Sequence, residues 1–158
     1  MASYSYKDRA QEMIKCFCGC TDMTVEEVLR VHGLFGRVKD ILSDPLAAKL
    51  FGQFMKERRS GDKNETEQYL EIYKMCIQLK SQPIITQGDL SELINRGLPR
   101  ELEQDLTKCV LSGNPMEITR CLGCIQVKCS NEIGGSAEFH DFKKAIEEKL
   151  GRVPKELK

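Results

Sequence analysis

The feature of this sequence that most constrains its fold is the close succession of helix-start signals along 158 residues. A helix start needs side chains that accept hydrogen bonds from the first backbone N–H groups, and proline fits the first helical position. Starts of this kind are found at Thr24-x-x-Glu27, Asp44-Pro45, Asn114-Pro115 and Ser136. Only the run "QPIIT" at 82–86 has the composition of a β-strand, and it has no second run to pair with.

Apolar residues recur at helical spacing between these starts, and glycines or prolines end most of the periodic stretches. The predicted helices are 6–15, 25–32, 34–42, 46–57, 64–79, 87–95, 99–111, 114–130 and 136–150. The connections between them are short, and there is no internal repeat. The sequence therefore predicts an all-α fold, an irregular bundle of about nine helices.

Composition excludes several classes of partner. Lysine plus arginine and aspartate plus glutamate both number 24, so there is no excess positive charge to bind nucleic acid or an anionic membrane. No apolar run is long enough to span a bilayer, and the N-terminus is amphipathic rather than a secretory signal. We therefore expect an intracellular, cytoplasmic protein that associates with membranes only through its partners.

Eight cysteines are many for a chain of this kind. Their positions are Cys16, Cys18, Cys20, Cys76, Cys109, Cys121, Cys124 and Cys129. A zinc site needs four ligands, usually on paired tight turns, whereas Cys121 and Cys124 lie one turn apart within a helical pattern. In a reducing compartment these residues are expected to be thiols rather than disulfides. We predict no metal site and no cofactor.

Four stretches in order resemble the RGS homology domain, a nine-helix module of regulators of G-protein signalling, receptor kinases and axin-type scaffolds. "ILSDPLAAKLFGQFMK" resembles the family's "LL-DP-G---F--FL" helix, and "NETEQYLEIYKMCIQLKS" is similar to "ENIEFWLACEDYKKIKS", with Tyr69 at the tryptophan position. "LSELINRGLPRELEQDL" resembles "IY--FI--GAP-EVNID", and "EFHDFKKAIEEKL" resembles the closing helix. The resemblance covers roughly residues 34–150.

The resemblance implies one domain over 1–158 with two lobes. Segments 1–43 and 136–150 would form the smaller lobe, and 44–131 the larger helical bundle. It also implies a core in which six side chains meet: Leu50, Phe54, Tyr69, Tyr73, Phe139 and Phe142.

The resemblance further implies a protein partner, a heterotrimeric G-protein alpha subunit (Gα). Members of the family catalyse nothing themselves; they hold the switch regions of Gα in the shape of the GTP-hydrolysis transition state. Three loops make these contacts. The matching positions are Asn64 and Glu65, Glu101 and Glu103, and the run Gly134, Gly135, Ser136 and Glu138.

This chain departs from the family pattern in all three loops. Asn64-Glu65 reverses the family's Glu-Asn, and Glu103 replaces a neutral asparagine. The third loop lacks the family's arginine. We therefore expect a poor or inactive GTPase activator. The acids in the first helical turns also have a purely structural explanation, since negative charge stabilises a helix N-terminus.

Two alternative functions belong to other classes of protein. The first is an axin-like scaffold domain that binds a peptide of a partner protein and makes no Gα contact. The second is an enzyme, which the sequence does not support, because it shows no nucleophile beside a base, no glycine-rich phosphate loop and no HExxH motif.

Overall fold

The computed structural model describes residues 13–14, 23–59, 61–62 and 64–153. Its helices are α1 (Val25–Gly33), α2 (Val38–Ser43), α3 (Pro45–Arg58), α4 (Glu65–Ser81), α5 (Gln87–Asn95), α6 (Arg100–Ser112), α7 (Pro115–Gly134) and α8 (Ala137–Gly151), with a 3-10 turn at Leu34–Gly36. The predicted all-α class is confirmed. Eight α-helices lie in the described ranges, so the count of nine stays a prediction.

The predicted helix 6–15 is wrong at its two described residues. Met13–Ile14 pairs antiparallel with Met23–Thr24, with Met13 opposite Thr24 and Ile14 opposite Met23. The rest of that predicted helix lies outside the described residues. Pairing with the segment that leads into the Thr24 cap overrides the local helical pattern, because it satisfies backbone groups on both segments.

Side-chain caps fix the helix starts where the sequence predicts them. The Glu27 amide donates to the Thr24 hydroxyl at 3.1 Å, and the Thr24 amide donates to the Glu27 carboxylate at 2.9 Å. Asp44 accepts from the Ala47 amide at 2.8 Å ahead of Pro45, the first residue of α3. Each such cap stabilises its helix by about 1 kcal/mol.

The chain divides into two compact units, of which the first comprises 1–62 and 135–158. Its core is a cluster of aromatic rings in which Phe142 of α8 contacts Phe51 and Phe54 of α3 at centroid distances of 5.1 and 5.4 Å. Helix α3 therefore packs with α8 in the first unit. The resemblance implies a different place for α3, in the larger bundle of residues 44–131. Helix α3 belongs to the first unit because α3 and α8 supply the two halves of one aromatic cluster.

The second unit, 63–134, contains α4 to α7. Helices α4 and α7 pack along one another, and α6 packs on α7. The α4–α7 core consists of fully or almost fully buried side chains: Ile72, Tyr73, Cys76, Leu79, Leu122, Ile125, Cys129 and Ile133. This unit positions the site described below.

The prediction that six side chains meet in one core is corrected, because these residues divide between the two units. Leu50, Phe54, Phe139 and Phe142 are buried in the first unit, and Tyr73 is buried in the second. Tyr69 is only half-buried. It lies one turn from the start of α4 and lines an open cavity instead of the α4–α7 interface.

The buried thiols of Cys76 and Cys129 make the second unit sensitive to alkaline pH. Burial raises the pKa of both thiols from 9.0 to about 12. In the unfolded chain each thiol ionises near its ordinary pKa, so the folded state holds the proton to higher pH. The stabilisation is fully present below about pH 9 and is lost as pH rises toward about 12.

The free energy of unfolding of the wild type should fall as pH rises above 9. We expect this fall to be smaller in Cys76→Ala, by up to about 1.4 kcal/mol per pH unit. Denaturant titrations between pH 7 and pH 11 measure this slope. Leu79→Ala in the same helix is the control, since it removes buried apolar volume but no thiol and should lower stability equally at every pH. Identical slopes for wild type and Cys76→Ala would contradict the expectation.

Candidate protein-interaction site

An open cavity of about 450 Å³ lies where the start of α4 meets the connection between α5 and α6. Glu65, Gln68 and Tyr69 line it from α4, and Gly97 and Pro99 line it from the connection. The start of α4, which the resemblance implies as a partner contact, thus meets the connection that leads into α6 at one surface of the second unit. We call this surface, together with Glu101, Lys128 and Glu132 beside it, the acidic notch.

In the first turn of α4, some polar side chains cap the helix and others are exposed to solvent. The Glu67 amide donates to Asn64 Oδ1 at 2.8 Å, and the Asn64 amide donates to Glu67 Oε1 at 3.4 Å. Glu67 is accordingly buried. Glu65 takes no part in this capping box and is exposed. Asn64 is therefore a cap, while Glu65 is available to a partner.

The backbone at position 97 favours glycine. Its φ is +97°, a region that side-chain-bearing residues rarely adopt. The side chain of Gln68 on α4 lies next to this position. The close approach of the connection to α4, which shapes the acidic notch, depends on this residue.

Tyr69 presents a protonated hydroxyl in the notch. Burial raises its pKa above the ordinary value, and the carboxylate of Glu65, which accepts a hydrogen bond from the hydroxyl, raises it further. The carboxylate of Glu132 acts in the same direction, while the ammonium of Lys128 opposes it. At neutral pH the hydroxyl is therefore a hydrogen-bond donor held by Glu65.

The charge of the notch is mainly negative. Lys128 Nζ lies 2.9 Å from Oε1 of Glu132 on α7, and this pair lies close to Tyr69 and Glu101. The hydrogen bond and charge of Glu132 raise the pKa of Lys128, with smaller contributions from Tyr69 and Glu101. Three carboxylates thus accompany one ammonium group, an arrangement that suits a partner with basic or hydrogen-bond-donating groups.

The structure separates the other predicted contact residues from this cavity. Glu101 and Glu103 lie in the first turn of α6, and neither lines the cavity. Gly134 is the last residue of α7, and Ser136 caps α8 by accepting from the Phe139 amide at 3.2 Å. Positions from Gly135 onward, including Glu138, belong to the first unit. Their role in partner binding stays a prediction.

Sequence reasoning missed four residues of the notch: Gln68, Tyr69, Lys128 and Glu132. The available signal was helical spacing, because Glu65 and Tyr69 are four residues apart on α4, as are Lys128 and Glu132 on α7. Nothing in the sequence indicates that these two pairs lie side by side.

A second cavity of the same unit has a different character. It measures about 520 Å³ and lies between the connection that follows α4 and the turn between α6 and α7. Seven apolar residues line it: Pro83, Ile84, Ile85, Leu90, Val110, Pro115 and Ile118. Four polar side chains line it as well: Lys80, Gln82, Gln87 and Thr119. Ile84 is 75% exposed, so this apolar groove is open to solvent.

Comparison of the chain with protein-family models, with curated proteins and with solved structures found no match. None of the helices in the described part of the chain is both long and apolar enough to cross a membrane. Within the same ranges, no group of three or more His, Cys, Asp or Glu side chains is arranged to hold a metal ion.

The prediction that no structural metal is bound has a direct test. We expect the melting temperature to be the same with and without an excess of chelator, because a structural zinc would supply much of the folding free energy. Thermal melts before and after chelation, with elemental analysis of the untreated protein, measure this. Stoichiometric zinc that is lost together with the folded state would contradict the prediction.

Proposed function

We propose that this chain is an RGS-homology-like protein-interaction module of G-protein signalling that binds Gα without accelerating GTP hydrolysis. The observation that supports the proposal is the acidic notch, where the start of α4, which resembles one of the family's contact segments, forms an open surface with the connection that leads into α6, with Glu65 exposed. The all-helical fold is consistent with it. Such a module acts in the cytoplasm and reaches a membrane only with its partner.

The expected lack of activation follows from charge. A domain accelerates hydrolysis only if it binds the transition state more tightly than the ground state. Negative charge is redistributed on the phosphoryl group in that transition state, and family members offer a neutral amide nearby. The corresponding residue here is Glu103, whose carboxylate would repel this charge at a poorly hydrated interface. The run from Gly134 to Glu138 offers no compensating arginine.

Single-turnover GTP hydrolysis by a panel of Gα subunits tests this assignment. We expect the wild-type domain to change the rate less than about threefold, well below the tenfold that corresponds to about 1.4 kcal/mol of transition-state stabilisation. Glu103→Asn should restore little, because the loop at 134–138 still lacks its arginine. Glu103→Asn combined with a family-like loop should accelerate hydrolysis. A tenfold effect of the wild type would contradict the role given to Glu103.

The apolar groove supports a second candidate function, a scaffold domain that holds a peptide of a partner. Seven apolar residues line it, and a cavity of about 520 Å³ has the size of a small-ligand or side-chain pocket. A photo-crosslinking residue placed at Gln82 in the groove or at Gln68 in the notch distinguishes the two functions. Crosslinks to Gα from position 68 favour the first function, and crosslinks from position 82 alone favour the second.

A further inference from the structure

Three of the described cysteines line one cavity between α6 and α7. The cavity is open, measures about 400 Å³ and contains Cys109 from α6 with Cys121 and Cys124 from α7. The same lining carries two basic side chains, Lys108 and Arg120, and two acidic ones, Asp105 and Glu117. All three cysteines are free thiols. Neither the acidic notch nor the apolar groove uses them.

The three thiols differ in depth. Cys124 is exposed at the rim, whereas Cys109 is 8% exposed and Cys121 is 3% exposed. Cys109 of α6 and Cys121 of α7 line the same cavity from the two helices. Burial, together with a smaller contribution from the neighbouring Cys109, raises the pKa of Cys121 to about 12. Cys121 therefore stays protonated at neutral pH, and the exposed Cys124 is the first thiol that a reagent meets.

Geometry favours one disulfide over the other. Residues three apart on a helix have Cβ atoms about 5–6 Å apart, but a disulfide needs roughly 3.5–4.5 Å. A bond between Cys121 and Cys124 would strain α7, so it suits a transient intermediate. A bond between Cys109 and Cys121 is free of this constraint, because it joins two side chains that line one cavity from different helices and links α6 to α7.

We propose that this cluster is an oxidative modification site at which a hydroperoxide converts Cys109 and Cys121 into a disulfide, with Cys124 as the entry thiol. The reaction consumes two thiols and one hydroperoxide, ROOH, and yields one disulfide, one alcohol, ROH, and one water. The sulfurs are oxidised and the O–O bond is reduced, and no other reactant is needed.

The route begins at the exposed thiol of Cys124 and ends with the bond that links α6 to α7. The Cys124 sulfur attacks the peroxide, the O–O bond breaks, and the products are a sulfenic acid on Cys124 and ROH. Cys121 then attacks that sulfur and passes its proton to the departing hydroxyl group, which leaves as water. Finally Cys109 attacks the Cys121 sulfur, and Cys124 leaves with the pair of electrons and regains a proton. Arg120, which is paired with Glu117, lines the same cavity as the three thiols.

Trypsin cleavage after oxidation of the full-length protein identifies which cysteines are joined. Lys108 and Arg120 precede Cys109 and Cys121, so cleavage places Cys109 in peptide 109–120 and both Cys121 and Cys124 in peptide 121–128. Full-length protein is treated with hydrogen peroxide, alkylated and digested without reductant. We expect peptides 109–120 and 121–128 joined and two hydrogen atoms lighter than the separate pair. The same link in Cys124→Ser, where only Cys121 remains in its peptide, assigns the bond.

The variants separate the roles of the three thiols. Cys124→Ser should form the link roughly tenfold more slowly, because the exposed nucleophile is gone. Cys109→Ser should accumulate the bond between Cys121 and Cys124 within one peptide, and Cys121→Ser should leave a sulfenic acid on Cys124 that dimedone traps. The buried thiols Cys76 and Cys129 are an internal control and should remain reduced.

Two results would overturn the proposal. One is wild-type protein in which Cys109 stays fully reduced while Cys124 is oxidised. The other is a Cys124→Ser variant that forms the link as fast as wild type, which would remove Cys124 from the route. Protein that unfolds on oxidation is recognised by alkylation of Cys76, which is accessible only when α4 and α7 separate.

Discussion

Phe142→Ala is expected to lower the free energy of unfolding by about 4 kcal/mol, because it removes the ring at the centre of the aromatic cluster. Phe142 is 3% exposed. Its ring contacts those of Phe35, Phe51 and Phe54 at centroid distances of 5.7, 5.1 and 5.4 Å. A cavity at this position would lose the free energy gained by removing the ring from water, and it would lose the contacts of the ring with three neighbours, two on α3 and one in the 3-10 turn.

Phe54→Ala should cost about 3 kcal/mol, less than Phe142→Ala, because the Phe54 ring contacts only that of Phe142 among the described aromatic rings. The Arg58 guanidinium lies 4.8 Å from its centroid and adds a smaller cation–π contribution. Urea titrations measure both variants. Leu111→Ala is the control, since this side chain is 81% exposed and its loss should change stability by under about 0.5 kcal/mol. A Phe142→Ala variant as stable as this control would refute the aromatic cluster.

Reversing two charges at the acidic notch should have the second largest effect. We expect Glu65→Arg combined with Glu101→Arg to weaken binding to Gα by about 2–3 kcal/mol, roughly 30- to 150-fold. Both carboxylates are exposed, and Lys128, the nearby ammonium group, is already bonded to Glu132. The reversal therefore replaces attraction for a basic partner surface with repulsion. Equilibrium binding with a GTP-like form of Gα measures the change.

A matched control keeps the change in net charge but moves it to another surface. Glu147→Arg combined with Glu148→Arg reverses two exposed carboxylates on α8, in the first unit. This variant should bind Gα within about twofold of wild type, since isolated charges outside an interface contribute little at physiological salt. Equal losses in both double variants would show that net charge, rather than the notch, governs binding.

The fold class and most helix starts could be predicted from sequence because they depend on local chemistry. A cap is a contact between residues three apart, so Thr24, Asp44 and Ser136 can be recognised without knowledge of the fold. Thr86 forms an equivalent box with Asp89 by the same chemistry. Buried faces such as that of Phe51, Phe54 and Met55 follow from helical periodicity for the same reason.

The remaining features depend on contacts between residues distant in sequence. Periodicity places Tyr69 on the inner face of α4, yet its ring lies beside the Gly97–Pro99 connection, which approaches α4 only in the folded unit. Met13–Ile14 has a helical pattern locally but pairs with a segment about ten residues away. Helix α3 has the same apolar stripe whichever unit it joins. Helical periodicity identifies a buried face but does not specify what covers it.

The most direct test of the proposed function is the equilibrium affinity of the wild-type domain for Gα in three forms. These are the GDP form, a GTP-like form and the transition-state-like form with GDP and aluminium fluoride. Because acceleration equals the preference for the transition state over the ground state, one set of dissociation constants reports binding and activation together. We expect binding to the GTP-like form and an affinity for the transition-state-like form within about threefold, or about 0.7 kcal/mol, of it. No binding to any form across a panel of Gα subunits, or a transition-state preference well above tenfold, would contradict this expectation.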